Sequence, residues 1–314
     1  YVQQLRKGQR HRQRYVPDDD LYHCAICHIY CQRGLRGTEM RKKRNKVIFY
    51  ILLTLLALIW MAPVVTVFIT ALKSQGDFYS GNSLFSLPDQ LKWSNFADAW
   101  TKGRLGTYMR NGLVICLLKV PLGILVESLA AFAITRLDIK HKTGIFVFFL
   151  LGMMLPHQMA LIPLNRAFSR YNLINNYLGL FVVYTGFGIG YGILVLRGFM
   201  RSIPKDLDEA AYIDGCGKLR LYFNIILPIT KPAIATVFIV DFLNTWNEFL
   251  LQSILITSDS LRTVPNGLMS FIGEYGTDYG LLNAGVLISI VPVLAVYLTF
   301  QRYFVEGMSG AVKK

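Results

Sequence analysis

The chain has 314 residues, of which 53% are hydrophobic and only 17% charged, where soluble domains average about 25% charged. The net charge is +14, but the basic residues fall in short blocks between apolar runs, a pattern of membrane topology and not of a nucleic-acid-binding face. Five cysteines, an odd number without paired spacing beyond the N-terminal stretch, argue against a disulfide framework.

Residues 1–39 are polar, basic and irregular. Met40-Arg41-Lys42-Lys43-Arg44 then reads as a natural start: a methionine, a basic cluster and an apolar span. Residues 1–43 are expected to form a cytoplasmic extension, disordered or outside the native chain before Met40, and residues 44–314 a membrane domain. Within the extension, Cys24, Cys27 and His28 match a c-type haem attachment pattern, and with Cys31 they have the chemistry of zinc ligands. Haem attachment of that type occurs outside the cytoplasm, whereas this end is predicted inside. The spacing is also too tight for a two-knuckle zinc fold. No metal or cofactor is therefore expected.

From Val47 to Leu72 runs a 26-residue stretch without Asp, Glu, Lys or Arg, and about 20 apolar residues suffice for a helix to cross the hydrocarbon core. Six spans follow from this reasoning: 48–72, 110–135, 144–165, 177–199, 229–256 and 281–302. The N-terminus, the loops 136–143 and 197–231 and the tail from 302 hold 24 of the 33 Lys and Arg, against 8 in the opposite loops, with Lys119 inside a span. The positive-inside bias puts both termini in the cytoplasm. Without residues 1–39 the ratio is still 17 to 8. The fold class expected is all-α: a polytopic membrane protein with six transmembrane helices.

The first outside loop, 73–109, carries Pro88, Trp93 and Trp100, which predict a small folded cap at interfacial depth. The last, 257–280, carries Asp259, Glu274 and Asp278; a solvated connection and a docking surface both fit it. Pro63, Pro121, Pro156, Pro163 and Pro292 lie within or near spans, where proline kinks a helix. Gly186, Gly188, Gly190 and Gly192 punctuate the fourth span, for close helix packing or a helix break.

The inner loop reads Ser202-Ile-Pro-Lys-Asp-Leu-Asp-Glu-Ala-Ala-Tyr-Ile-Asp-Gly215. Pro204 suits a first helical turn, and Asp206 and Asp208 favour the positive end of the helix dipole. Gly215 can end the helix in a left-handed conformation. The small Ala210-Ala211 face would admit another protein closely. A second helix runs on toward Leu227-Pro228.

Glu209-Ala210-Ala211, Gly215, Ile225, Leu227 and Pro228 together resemble the signature loop of ABC importer permeases. In that family the helix sits in a groove of the ATPase subunit. The resemblance therefore implies ATPase coupling for Glu209, Ala210, Ala211, Asp214 and Gly215. The tail Gln301-Arg-Tyr-Phe-Val-Glu-Gly-Met, Trp246-Asn247-Glu248-Phe249-Leu250 and Pro156-His157-Gln158…Ile162-Pro163 resemble maltose-type and glycerol-phosphate-type permeases. This likeness spans roughly 44–314. It implies a bacterial inner-membrane protein of the carbohydrate-uptake branch, with a second homologous permease subunit, separate ATPase subunits and an extracytoplasmic solute-binding protein. No P-loop occurs: the nearest fragment, Gly217-Lys218-Leu219, lacks the hydroxyl residue, and Tyr212 stands at the first glycine position. ATP hydrolysis is thus expected on another chain, and no catalytic constellation marks this one as an enzyme. A secondary transporter and a structural subunit of a membrane enzyme are the alternatives.

Lys119, Glu127, Asp241 and Glu248 are ionisable residues inside spans, which normally face a bundle interior or water. Lys119 and Glu127 are eight residues apart, about 12 Å along a helix, so each needs a partner elsewhere. Gln158, Asn244, Asn247 and Glu248 are the candidate pathway residues, since a sugar needs donors and acceptors in place of water and amides offer both. Trp246 and the tyrosines of span four fit either stacking on a sugar ring or packing. The solute itself, whether oligosaccharide, monosaccharide derivative or glycerol phosphate, is open.

Overall fold

The computed structural model describes residues 18–79, 86–273 and 276–310, with side chains for 45–77, 86–273 and 277–303. The side chains of Cys24, Cys27, His28, Cys31 and Glu274, and of the tail beyond Tyr303, lie outside the described residues. The chain divides into two compact units, Tyr1–Val65 and Thr66–Lys314.

The first unit holds most of helix α1 (Asp18–Ala71). Its apolar part shows the same face all round: Val47, Phe49, Leu55 and Trp60 are all exposed, as expected of a helix whose solvent is lipid.

The second unit begins with a cap of short helices, α2 (Gln75–Tyr79) and α3 (Ser94–Thr101). The Asn95 amide donates to the carbonyls of Ala71 and Lys73 at 2.8 and 3.0 Å, which ties the cap to the chain leaving the first span. Three long helices follow as the core: α4 (Leu105–Arg136), then α7 (Tyr177–Ser202) and α11 (Lys231–Trp246). Between α4 and α7 come α5 (Lys142–Met154) and α6 (His157–Arg170). After α7 the inner loop forms α8 (Asp206–Ile213), α9 (Lys218–Leu221), a π turn (Tyr222–Ile226) and α10 (Leu227–Ile229). Beyond α11 lie α12 (Leu250–Leu255), α13 (Val264–Leu268), a two-residue antiparallel ribbon of β1 (Ile272–Gly273) and β2 (Gly276–Thr277), and α14 (Tyr279–Gly310).

Among the described residues, four helices are long and apolar enough to cross a membrane: Asn45–Ala71, Leu105–Arg136, Tyr177–Ser202 and Tyr279–Tyr303. The two other expected spans, 144–165 and 229–256, are not straight. Lys142–Met154 and His157–Arg170 meet at 94°, and Lys218–Ile229 and Lys231–Trp246 meet at 76°. Counting each bent pair as one span gives six. The first bend follows from Pro156, which forces the preceding Leu155 into the extended region (ψ 121°) and has no amide to continue the ladder. By contrast α1, α4, α6 and α14 continue through Pro63, Pro121, Pro163 and Pro292. The expected span 229–256 also ends early, at Trp246, and restarts as α12 after Asn247–Phe249.

In lipid no hydrophobic force draws helices together, so close approach through small residues must hold them. The α7 glycines do this without breaking the helix. A side chain at Gly190 would meet the Phe149 carbonyl of α5 at 2.6 Å, and one at Gly192 would collide with Glu127 of α4. The second reading of these glycines, a helix break, does not hold.

At the opposite end of the bundle from the α8 loop, polar staples replace packing. Asn175 bonds the amides of Thr257 and Ser258, each at 2.8 Å. Asp259 gathers Arg104 (2.6 Å), the Tyr108 hydroxyl (2.9 Å) and Arg262 (3.3 Å), fixing the start of α4 to the loop after α12. Asn111 adds bonds to the carbonyls of Ser260 and Arg262 at 2.8 and 2.9 Å. The bonds from Arg104 and Tyr108, with the charge of Arg262 behind them, hold the Asp259 carboxyl below its ordinary value of 3.8. A carboxylate with a lowered folded-state pKa contributes its stability above the unfolded pKa and loses it as pH falls through the folded one. Comparing wild type with Asp259→Asn by thermal unfolding in detergent, the stability difference should be constant above about pH 5 and shrink on further acidification.

Candidate functional site

Two features stand out, one inside the bundle and one in the inner loop. Inside, a cavity of about 300 Å³ is lined by Lys119, His157, Tyr184, Tyr191, Asp241 and Glu248, with Asn244, Thr245, Phe187, Gly188 and Leu251 completing its wall. Helices α4, α6, α7, α11 and α12 all contribute.

Lys119 of α4 donates to Asp241 of α11 in an ion pair with both residues buried. Sequence spacing indicated that Lys119 needed a partner outside its own helix, and Asp241 is that partner. The absence of a side chain at Gly188 leaves room for the ammonium: an added Cβ would stand 3.2 Å from Nζ. Gly123 likewise leaves the space between Asp241, Lys119 and Glu127 open, at 3.8–3.9 Å from each. Glu127 itself is buried in the notch made by Gly192.

Glu248 has two tasks. Its carboxylate accepts the amides of Leu251 (2.7 Å) and Gln252 (3.0 Å), the otherwise orphan donors at the start of α12. The Tyr184 hydroxyl donates to it at 2.9 Å. The break at Asn247 therefore exists where a carboxylate can cap the next helix.

Of the four expected pathway residues, Asn244 and Glu248 line the cavity. Asn247 is exposed and donates to the Leu243 carbonyl at 3.0 Å, and Gln158 is exposed outside the lining. Trp246 packs: it is 3% exposed, stacks on Phe242 at 5.9 Å, and faces Gly112. Tyr184 and Tyr191 are among the span-four tyrosines expected to stack or to pack, whereas His157 and Thr245 were not among the expected pathway residues. The hint for His157 was its place directly after Pro156, where a bend aims the next residue inward; its ring lies 4.3 Å from Phe187.

In the inner loop, α8 ends in a Schellman turn: Cys216 N–H bonds the Ala211 carbonyl (2.9 Å) and Gly215 N–H the Tyr212 carbonyl (3.1 Å). Gly215 has φ +76°, the left-handed region expected for it. One face of α8 is inward, with Asp208 and Ala211 buried. The other presents Glu209, Ala210, Tyr212 and Ile213, the last 86% exposed, followed by Asp214 and Gly215. Tyr212 and Ile213 were missed because the family motif does not fix them. Asp208 is held by Arg136 of α4 at 3.0 Å. Burial raises the Asp208 carboxyl above its ordinary value, against the pull of Arg136 and Lys205.

A bundle of spanning and broken helices around a cavity that carries buried charges, with a short amphipathic helix presented from one loop, is the architecture of a membrane transport subunit. Residues 119–309 match the family described as binding-protein-dependent transport system inner membrane component, and the chain belongs to it. It is accordingly a multi-pass inner-membrane protein and the permease subunit of an ABC transporter. Among its relatives are a probable ABC transporter permease protein, YurM, of Bacillus subtilis (35% identical, covering 84% of this chain and 85% of that one) and the diacetylchitobiose uptake system permease protein NgcG of Streptomyces coelicolor (33%; 87% and 91%). The melibiose/raffinose/stachyose import permease protein MelC of Bacillus subtilis is 31% identical, over 87% of this chain and all of that one. Among solved structures, a chain of a bacterial ABC transporter involved in the import of the acidic polysaccharide alginate shares the fold, with TM-score 0.71, 21% identity, and 82% and 95% coverage.

Removing one member of a buried ion pair strands the other charge, at a cost of about 3–5 kcal/mol, whereas replacing both with apolar residues is often neutral. Lys119→Met alone should sharply lower the thermal unfolding temperature in detergent. Lys119→Met combined with Asp241→Leu should recover most of that loss.

Proposed function

We propose that this chain forms half of the translocation pathway of a binding-protein-dependent importer for a carbohydrate, driven by ATP hydrolysis on a separate ATPase subunit. The chain is non-catalytic in this reading. Its domain is residues 44–314, both termini are cytoplasmic by the distribution of Lys and Arg, and α8 lies on that same side. The partners are ATPase subunits, a second homologous permease and an extracytoplasmic solute-binding protein; a solved relative is an alginate transporter in complex with a pentasaccharide-bound periplasmic protein.

The observation that carries the reading is the outward face of α8. Glu209, Ala210, Tyr212 and Ile213 project from a helix ended at Gly215, and a large apolar side chain as exposed as Ile213 in a loop calls for a protein surface to cover it. The carbohydrate reading is supported by the relatives, several of which are named for sugars. It is also supported by the cavity, where Tyr184, Tyr191, Asn244, Thr245 and Glu248 offer the mixture of donors and acceptors that hydroxyls require. Family membership favours this reading over a secondary transporter or an enzyme subunit.

Co-purification tests the docking face. Ile213→Glu should strip the ATPase subunit from the purified transporter while leaving the unfolding temperature of the permease unchanged, since exposed substitutions stay within about 0.5 kcal/mol. Gly215→Val, whose backbone is left-handed, should cost about 1–2 kcal/mol locally and uncouple uptake from ATP hydrolysis. An ATPase that stays bound to Ile213→Glu would count against the docking face.

For the pathway, Asn244→Ala and Glu248→Gln should weaken uptake or alter its specificity, while Gln158→Ala and Asn247→Ala, which lie off the cavity wall, should change it less. Unchanged uptake in all four variants would remove the pathway assignment.

A further inference from the structure

Ser128, Phe132 and Arg136 recur at four-residue spacing along α4, so they stand one above another on a single face. All three reach into the inner loop. The Ser128 hydroxyl lies 2.6 Å from that of Tyr222. The Phe132 ring lies 5.2 Å from the Tyr222 ring. Arg136 holds Asp208 of α8 at 3.0 Å, and a second arm of its guanidinium donates to the carbonyls of Met200 (3.1 Å) and Ile203 (2.9 Å), where α7 ends. These contacts are internal: Ser128 is 1% exposed, Tyr222 is fully buried, and the Asp208 side chain is 12% exposed.

One helix face thus grips both arms of the inner loop. It holds the α8 arm by charge and the returning arm by a hydroxyl pair and ring packing. Tyr222 opens the π turn Tyr222–Ile226, a rare geometry that concentrates at functional positions.

The chain link between α7 and α8 is short and extended at Ile203-Pro204, with Ile203 at ψ 127°. The helical hydrogen-bond ladder is interrupted at this joint, so the backbone alone couples α8 to α7 less directly than a continuous helix would. The Arg136–Asp208 pair spans that joint. At its other end α4 carries Lys119, seventeen residues away and about 25 Å along the helix, where it meets Asp241 at the cavity.

We propose that the Ser128–Phe132–Arg136 face of α4 is the lever that delivers displacement of α8 to the cavity, with Arg136 and Asp208 as its positioning pair. This inference rests on the reading that α8 docks the ATPase.

The test uses the whole importer in liposomes, measuring solute uptake and ATP hydrolysis in the same preparation. Asp208→Asn removes the charge pair but leaves Arg136 on the α7 carbonyls, so it separates transmission from helix capping. Asp208→Glu keeps the pair. The expected result is that Asp208→Asn retains bound ATPase but takes up about tenfold less solute per ATP, a typical coupling factor. Asp208→Glu should stay within about twofold of wild type. Ser128→Ala, which loses only the hydroxyl pair, should give a smaller loss in the same ratio. An unchanged ratio in Asp208→Asn overturns the proposal. So does an equal loss in Asp208→Asn and Asp208→Glu, which would mark a packing role, and so does loss of the bound ATPase from Asp208→Asn, which would mark an assembly role. The docking reading fails separately, through Ile213→Glu that keeps its ATPase.

Discussion

The arrangement of the core depends on one constraint: a lysine and an aspartate must meet inside a bilayer. Lys119 and Asp241 are both buried, and either alone would be an uncompensated charge, so α4 and α11 must keep the register that lets them touch. The glycines of α7 and α4 then follow as consequences. Gly188 leaves room for the ammonium, Gly123 leaves the space beside it open, and Gly192 admits Glu127. A side chain at Gly188 would crowd the ammonium and one at Gly192 would collide with Glu127, whereas at Gly123 a methyl group would make ordinary contact. The pair is thus better understood as fixing which packing is allowed than as a source of net stability.

The cavity sits where this constraint leaves space. Lys119 and Asp241 form part of its wall, and Glu248 contributes another part while capping α12. Ion pairing, helix capping and the cavity wall therefore share the same side chains. Substitutions here will not separate cleanly into folding and function, whereas those on the exposed face of α8 should.

Much of this was legible in the sequence. The apolar runs gave the spans, and the glycine at 215 gave the left-handed helix end, because both follow from local chemistry. What was not legible depended on tertiary pairing. The partner of Lys119 lies on a helix more than a hundred residues later, and no spacing rule reaches that far. Prolines were ambiguous for a similar reason. Pro156 breaks its span while Pro121 sits inside a continuous helix, and the residue type alone does not distinguish the two. Asn247 and Gln158 have the right chemistry for a pathway but lie outside the cavity lining, because which residues of a broken span meet in one cavity depends on the breaks, and the sequence did not disclose these.

The 94° bend at Pro156 has a further consequence, for hydration. The closing carbonyls of α5 and the opening amides of α6 have no partners within their own helices. Bare backbone of this kind is not tolerated against lipid tails and persists only under protein cover or beside water. His157, at the start of α6, already opens onto the cavity. At membrane depth the bend therefore calls either for a covering protein surface or for water where His157 meets the cavity.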